Sequence, residues 1–508
     1  MAYLLGIDQG TSGTKALVVD AEGAVCGYAY RAVDRLYPRP DWVEQDPRSV
    51  ARGVAEATAE AISRAGIHPR ELTAAGLTCQ RNTIFAWQTA SGDATPIGNA
   101  ITWQDMRTVQ LLPELAVWEA SQGERDMVRR RLGYGPGPYV AALHLRWRLE
   151  NDPELRAAAH QGDLRLGLSA AWLLAALGRP SGHRMDRSLV QATGLYDFRA
   201  DAYWSEWLEW LGVPLDALPE PAPTLDEYGV LEIGDAQGRT ASVPVLAMIG
   251  DQQAALYGHD CRRLGHAACT HGTASYVKLF LDRQMPDTPE VDQLFAWDTG
   301  AGQTYLLEAS TTVTGAVVRW LREDLGFFDD YARLEQLTRA AGDAGGLLFV
   351  PALTGLNAPY YDPGVRGTLL GLTLGHTPGH MMFAFMEGVA FQVRDILETI
   401  YAGAGVEVRQ LLVGGGLSAS TLANQIQADL LGIPVRRPSF SETTAWAAAL
   451  LAGLGAGVWR GEESLPPLPG DYTIFEPQYE RATRDAAFAR WRRGVALARQ
   501  WGAQQHNS

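Results

Sequence analysis

The run from Leu4 to Asp20 constrains this chain more than any other segment. Its apolar stretch Leu4-Leu5-Gly6-Ile7 reads as a strand that delivers Asp8 at its end. Gly10, Thr11, Ser12, Gly13 and Thr14 make a tight polar loop, and Ala16 to Val19 reads as a second strand. Small residues let backbone N–H groups approach an anion, and hydroxyls add donors. An aspartate beside such a loop can hold a divalent cation, directly or through water. The loop is therefore read as a seat for a metal–nucleotide phosphate. An ordinary Gly-rich hairpin turn is the plainer alternative.

Two commoner phosphate loops are excluded. A Walker A loop needs G-x-x-x-x-G-K-[ST], and no segment supplies it. A dinucleotide fold needs G-x-G-x-x-G opening a helix, whereas here a strand follows. The formal net charge of −15 argues against a nucleic-acid partner, since phosphate backbones need a basic face. It leaves room for a small anion held by a local donor cluster. No apolar run approaches the roughly 20 residues that span a bilayer, so no membrane role is expected. The chain enters its first strand without a signal-like segment, and Cys26, Cys79, Cys261 and Cys269 form no C-x-x-C pair. Free thiols and a cytoplasmic location are the expectation.

Further along, Ala24 to Val33 predicts a third strand. Asp46-Pro47 starts a helix that stops near Gly66, and Thr73 to Thr78 predicts a strand. Three strands, a helix and a strand open a ribonuclease-H-like half. Val243 to Ile249 predicts a strand ending in Gly250-Asp251-Gln252-Gln253. Residues Ala267 to Phe280 repeat the strand, Gly-Thr loop, strand pattern, with Gly272-Thr273 echoing Gly10-Thr11. Two such hairpins suggest two similar lobes with a nucleotide in the cleft between them. Leu411 to Gly416 is strand into Gly-rich turn, with a helix from about Ser420. Ala445 to Leu454 is read as a buried helix, and Glu480 to Trp501 as a basic helix on the outside.

Taken in order, Asp8-Gln9-Gly10-Thr11, Tyr37 to Pro47, Gln80-Arg81, Trp103-Gln104, Gly250 to Leu256, Gly272-Thr273, Pro359-Tyr360, Arg366-Gly367, Glu387-Gly388 and Gly415-Gly416 form a pattern over nearly the whole length. The chain resembles the FGGY carbohydrate kinases, most closely their glycerol kinase branch. The resemblance implies an α/β fold of two ribonuclease-H-like lobes, of the actin, Hsp70 and sugar kinase type, with an interlobe cleft. Residues 1–250 would be the sugar-binding lobe and 251–508 the mainly ATP-binding lobe. ATP and Mg2+ are the implied cofactors, a small polyol or sugar the partner, and a homodimer or homotetramer the assembly.

Phosphoryl transfer requires a metal on the phosphates, donors for the equatorial charge and an aligned nucleophile. Asp8 is assigned to the metal, with turn capping as its plainer role. Thr11, Ser12, Gly272 and Thr273 are the phosphate donors. Lys15 is set aside as a solvated strand lysine. Asp251 is the base by resemblance; the same carboxylate is placed to cap the following helix. Arg81, Asn82, Trp103, Tyr139, Gln252 and Tyr276 are the implied substrate contacts, and Gly315, Gly416 and Ser420 line the nucleotide. His259, His266 and His271 lack metal-ligand spacing and are set aside as a zinc site.

The chain departs from the glycerol kinase pattern at several positions. Asn82 stands where those enzymes carry glutamate, Tyr276 for phenylalanine, His271 for tyrosine, Gly414 for aspartate and Ser420 for asparagine. Losing a charge-assisted contact at position 82 should cost glycerol roughly 1–3 kcal/mol. The amide brings a donor that a carbonyl or an added hydroxyl could use. A glycerol-like polyol or a four- or five-carbon polyol or ketose is the expected acceptor. Two rival classes are a non-transferring ATPase of the actin or Hsp70 type and a sugar-sensing regulator. The hydroxyl-binding set around Asp251 argues against the first, and the intact phosphate loops against the second.

Overall fold

Asp46 shows how local sequence builds the scaffold. Its carboxylate accepts from the N–H groups of Arg48 and Ser49, Pro47 takes the first helical position, and Gly66 ends the helix at φ 69°. The helix so bounded, α1 (Pro47–Ala65), buries Val50, Val54, Ala57, Ala61 and Ile62, one apolar stripe at helical spacing. This computed structural model describes residues 2–89, 92–124 and 126–505. They pack as two units. The first comprises Met1–Asp260, Leu294–Tyr305 and Glu442–Pro469; the second comprises Cys261–Gln293, Leu306–Ser441 and Gly470–Ser508.

In the first unit, β1 (Tyr3–Gln9), β2 (Gly13–Asp20) and β3 (Val25–Ala32) form an antiparallel meander. Helix α1 packs on β2 and β3. The next long strand, β4 (Leu72–Cys79), returns parallel to β1. With β5 (Gly178–Pro180), β6 (Leu225–Gly234) and β7 (Thr240–Gly250) the sheet runs β5-β6-β7-β4-β1-β2-β3. Strand β7 is parallel to β4 and leads directly into α2 (Asp251–Gly258). The buried Ala-rich helix Thr443–Gly455 lies against β1, β4, β7 and α2. Its close approach depends on glycine. A Cβ at Gly6 would stand 1.9 Å from the Ala445 carbonyl oxygen, and one at Gly76 2.0 Å from that of Ala448.

The second unit repeats this plan. The hairpin β8 (His266–His271) and β9 (Ser275–Asp282) is antiparallel. Strand β10 (Tyr305–Ser310) lies beside β9, and α3 (Gly315–Glu323) follows it. After the long helix α4 (Pro378–Ala404), β11 (Gln410–Gly414) returns parallel to β8. A 3₁₀ turn, Gly416–Ala419, leads into α5 (Thr421–Leu431), then β12 (Val435–Pro438) and β13 (Tyr472–Phe475). The order β10-β9-β8-β11 matches β3-β2-β1-β4 of the first unit. The last helix, α6 (Arg481–Gln505), is basic outside but seats Phe488, Trp491 and Val495 in the core with Phe391 and Val389 of α4. Burial of each such large side chain stabilises by about 1.5–3 kcal/mol. Among the described residues no helix is long and apolar enough to cross a membrane.

Candidate functional site

Parallel strands of an open α/β sheet end together, and ligands favour those carboxyl ends. In the first unit the register pairs Gln9 of β1 with Cys79 of β4, and Cys79 with Gly250 of β7. Asp8, Gly10 and Thr11 therefore emerge beside Gln80, Arg81 and Asn82, and these beside Asp251 and Gln252. Asp251 opens α2, with Gly250 as its cap residue, and its Oδ1 accepts from the Gln252 N–H at 2.7 Å. Its role at the helix start is thus the first helical position, with the cap one residue earlier. The Gly250 N–H is held by Ser188 Oγ at 3.0 Å. Arg81 Nε lies 3.8 Å from Asp251 Oδ1, both side chains mostly buried.

A ring of side-chain hydrogen bonds fixes the first loop. Trp103 Nε1–H donates to Thr11 Oγ at 2.9 Å, and the Thr11 hydroxyl donates to Gln80 Oε1 at 2.9 Å. Gln80 Nε2 donates to Gln45 Oε1 at 2.8 Å, and Gln45 Nε2 to the Thr11 carbonyl at 2.9 Å. The loop closes through Gly10 N–H to Gly13 O at 2.9 Å, while the Ser12 carbonyl accepts from Tyr30 and Val33. The Tyr139 hydroxyl donates to Gly135 O at 2.9 Å, and its ring is partly exposed, as is that of Trp103. Asn82 takes a left-handed backbone, φ 57°, and its buried Oδ1 has no hydrogen-bond partner among the described residues. A buried bare acceptor costs free energy until a ligand donor meets it.

Asp8 is almost fully buried, and burial pushes its carboxyl up to about 7. Lys15 opposes that shift, and the charges of Asp251 and Glu442 add to it. The expectation of a solvated Lys15 is corrected here. Its ammonium lies 2.7 Å from Glu442 Oε2, and only a third of the side chain is exposed. Burial works against the ammonium, but the contact with Glu442 and the field of Asp8 hold it above its ordinary value. The hairpin register pairs Asp8 directly with Lys15, so the two-residue alternation of the strands was a usable signal for it. Glu442 had none, because it enters from a distant segment. Gln45 and Gln80 were also unassigned, although Gln80 adjoins Arg81.

The second unit carries the other candidates. The Gly272 carbonyl accepts from Gly315 N–H at 2.9 Å and the Thr273 carbonyl from Thr314 N–H at 2.7 Å, so the β8–β9 loop is laced to the start of α3. Gly315 permits this: a Cβ there would stand 2.6 Å from Gly272 O. Tyr276 follows on β9, opposite Thr270. At the end of β11, Gly415 takes φ 85° and Gly416 begins the 3₁₀ turn. Ser420 is buried and caps α5, its Oγ accepting from Ala423 N–H at 3.2 Å. No group of three histidine, cysteine, aspartate or glutamate residues poised for a metal occurs among the described residues. His266 instead meets Gln410 at 3.1 Å, and no disulfide joins the cysteines among the described residues.

Residues 3–258 match the N-terminal domain model of the FGGY family of carbohydrate kinases, and residues 267–456 match its C-terminal domain model. A glycerol kinase of Symbiobacterium thermophilum is 36% identical over 503 residues, 99% of each chain. A glycerol kinase of Gloeobacter violaceus is 37% identical over 501 residues, 98% of this chain and 97% of its own. Among solved structures, Plasmodium falciparum glycerol kinase with ADP superposes with a TM-score of 0.89 at 23% identity, covering 98% of both chains. A xylulose kinase from Rhodospirillum rubrum gives 0.84 at 21%, covering 99% of this chain and all of that one. The repeated sheet plan and the full-length matches agree: the chain belongs to the FGGY family of carbohydrate kinases.

Proposed function

We propose that this kinase transfers the γ-phosphoryl group of ATP to a hydroxyl of a glycerol-like polyol or a four- to five-carbon polyol or ketose, with Asp251 as the base. The observation that carries this reading is the convergence of Asp8, Thr11, Gln80, Arg81 and Asp251 at the ends of three adjacent parallel strands. Arg81 and Trp103 offer a donor fork and an apolar wall to a polyol, with Tyr139 and Gln252 as further contacts. Asn82 supplies a bare acceptor, which suits a substrate hydroxyl proton. Asp251 orients the attacking hydroxyl and accepts its proton late, a contribution of about 10²–10⁴ in rate. Residues 1–250 hold the acceptor in this scheme. Residues 251–508 hold mainly the nucleotide in the same scheme, through Gly272, Thr273, Gly315, Gly416 and Ser420; Thr11 and Ser12 are assigned as phosphate donors and Tyr276 as an acceptor contact by the family resemblance alone.

The donor set suits Mg2+, which keeps several waters and asks for one or two carboxylates. Asp8 is a buried carboxylate whose charge is unfavourable until a cation joins it, and the nearby charge of Asp251 reinforces that demand. Bound there, Mg2+ would neutralise charge on the transferring phosphates. Cysteines not joined in disulfides fit a cytoplasmic location, and a homodimer or homotetramer is the assembly to test by sedimentation. The reading is tested by ADP release with and without each of a panel of three- to six-carbon polyols and ketoses. Acceptor-dependent release supports it. Acceptor-independent release points to an actin-type ATPase, and no release to a regulator.

A further inference from the structure

The histidine of the second loop is part of a buried chain of hydrogen bonds. His271 ends β8, directly before Gly272 and Thr273, and is 2% exposed. Its Nδ1 lies 2.8 Å from Ser275 Oγ and its Nε2 3.1 Å from Gln427 Oε1 on α5. Ser275 Oγ is 2.7 Å from Thr314 Oγ, and the Ser275 N–H donates to Thr311 Oγ at 3.0 Å. With Gln427 Oε1 accepting, Nε2 carries the hydrogen and Nδ1 accepts from the Ser275 hydroxyl, which in turn accepts from Thr314. Burial lowers the imidazole to about 4, in keeping with this neutral form.

One ring thus ties three segments. Ser275 and Thr314 hold the Gly272–Thr273 loop to the start of α3. Gln427 belongs to α5, whose cap Ser420 follows the Gly415–Gly416 turn. The backbones meet as well: a Cβ at Gly415 would stand 2.4 Å from the His271 carbonyl oxygen. We infer that His271 is a positioning residue that sets the phosphate-side loop Gly272–Thr273 in register with the Gly416–Ser420 turn, so that both grip one nucleotide. The inference rests on the nucleotide-binding reading of this unit.

The test uses the whole protein and the variants His271→Phe and Gln427→Met. His271→Phe keeps an aromatic ring but removes both hydrogen bonds; Gln427→Met leaves the histidine and cuts its link to α5. KM for ATP should rise about five- to tenfold in each, while KM for the polyol stays within about twofold. The double variant should be no worse than the poorer single one, as expected of groups acting in one chain. Equal rises in both KM values, or an unchanged KM for ATP in folded Gln427→Met, overturn the inference even if His271→Phe fails to fold. Calorimetry with ADP separates the two levels. Wild-type protein that does not bind ADP overturns the underlying reading and this inference with it. Wild-type binding that Gln427→Met retains in full overturns the inference alone.

Discussion

Replacing Asp8 by asparagine should stabilise the metal-free protein, and more so at alkaline pH. The folded carboxyl titrates at about 7 rather than 3.8, mainly because it is buried. A group raised in the folded state contributes its stability below the unfolded value and loses it as pH rises through the folded value. At pH 5 the folded protein must keep a proton that the unfolded chain has largely released, a cost of about 2 kcal/mol. At pH 8 both states are ionised and the cost reaches its ceiling of about 4 kcal/mol. Asparagine has nearly the same shape and no charge, so Asp8→Asn should gain about 2–3 kcal/mol more at pH 8 than at pH 5. Urea unfolding in EDTA, followed by tryptophan fluorescence, measures this. Trp204, Trp207 and Trp210 stack within the first unit and report on it; the two units need not unfold together. Comparing variant with wild type at each pH cancels the other carboxylates. An equal gain at both pH values, or a loss at pH 8, would refute the argument that burial of this charge is unpaid without a cation. The same variant should lose turnover with saturating ATP and Mg2+.

Other substitutions probe other links. Lys15→Met removes the cation that opposes the rise at Asp8, so the acidic limb of the pH profile of kcat/KM should move to higher pH; a limb that stays in place separates Lys15 from Asp8. Asn82→Glu restores the acceptor charge of the glycerol enzymes and should raise the kcat/KM for glycerol relative to larger polyols by about tenfold, the worth of one charge-assisted contact. No change across the panel would refute the role assigned to position 82. Gly6→Ala forces the helix Thr443–Gly455 off the sheet, since the new Cβ would stand 1.9 Å from Ala445 O, and should cost about 3 kcal/mol in urea unfolding. Unchanged stability would mean that the helix can shift without loss.

Local chemistry made much of this fold legible. Asp46-Pro47 and Gly66 bound α1 where capping demands, and the two Gly-Thr hairpins mark the two repeated sheets. The Ala-rich run near residue 450 is the buried helix its composition implies. Its place in the first unit was not legible, because it depends on glycines hundreds of residues earlier. The same holds at the site. Lys15 follows from hairpin register with Asp8, but Glu442, Gln45 and the link from Trp103 to Thr11 depend on tertiary approach. The resemblance makes Thr11 a phosphate donor and Ser420 a nucleotide-lining residue, and neither expectation contains the contacts the fold adds: the Thr11 hydroxyl donates to Gln80, and the Ser420 hydroxyl accepts at the α5 cap.

The account depends most on Asp251, and one paired measurement on Asp251→Asn addresses it directly. Calorimetric affinity for the preferred polyol should stay within about threefold of wild type, because the amide keeps an acceptor, while polyol-dependent ADP release falls by about 10²–10⁴. Turnover close to wild type with binding intact would contradict the assignment of the base and the mechanism built on it.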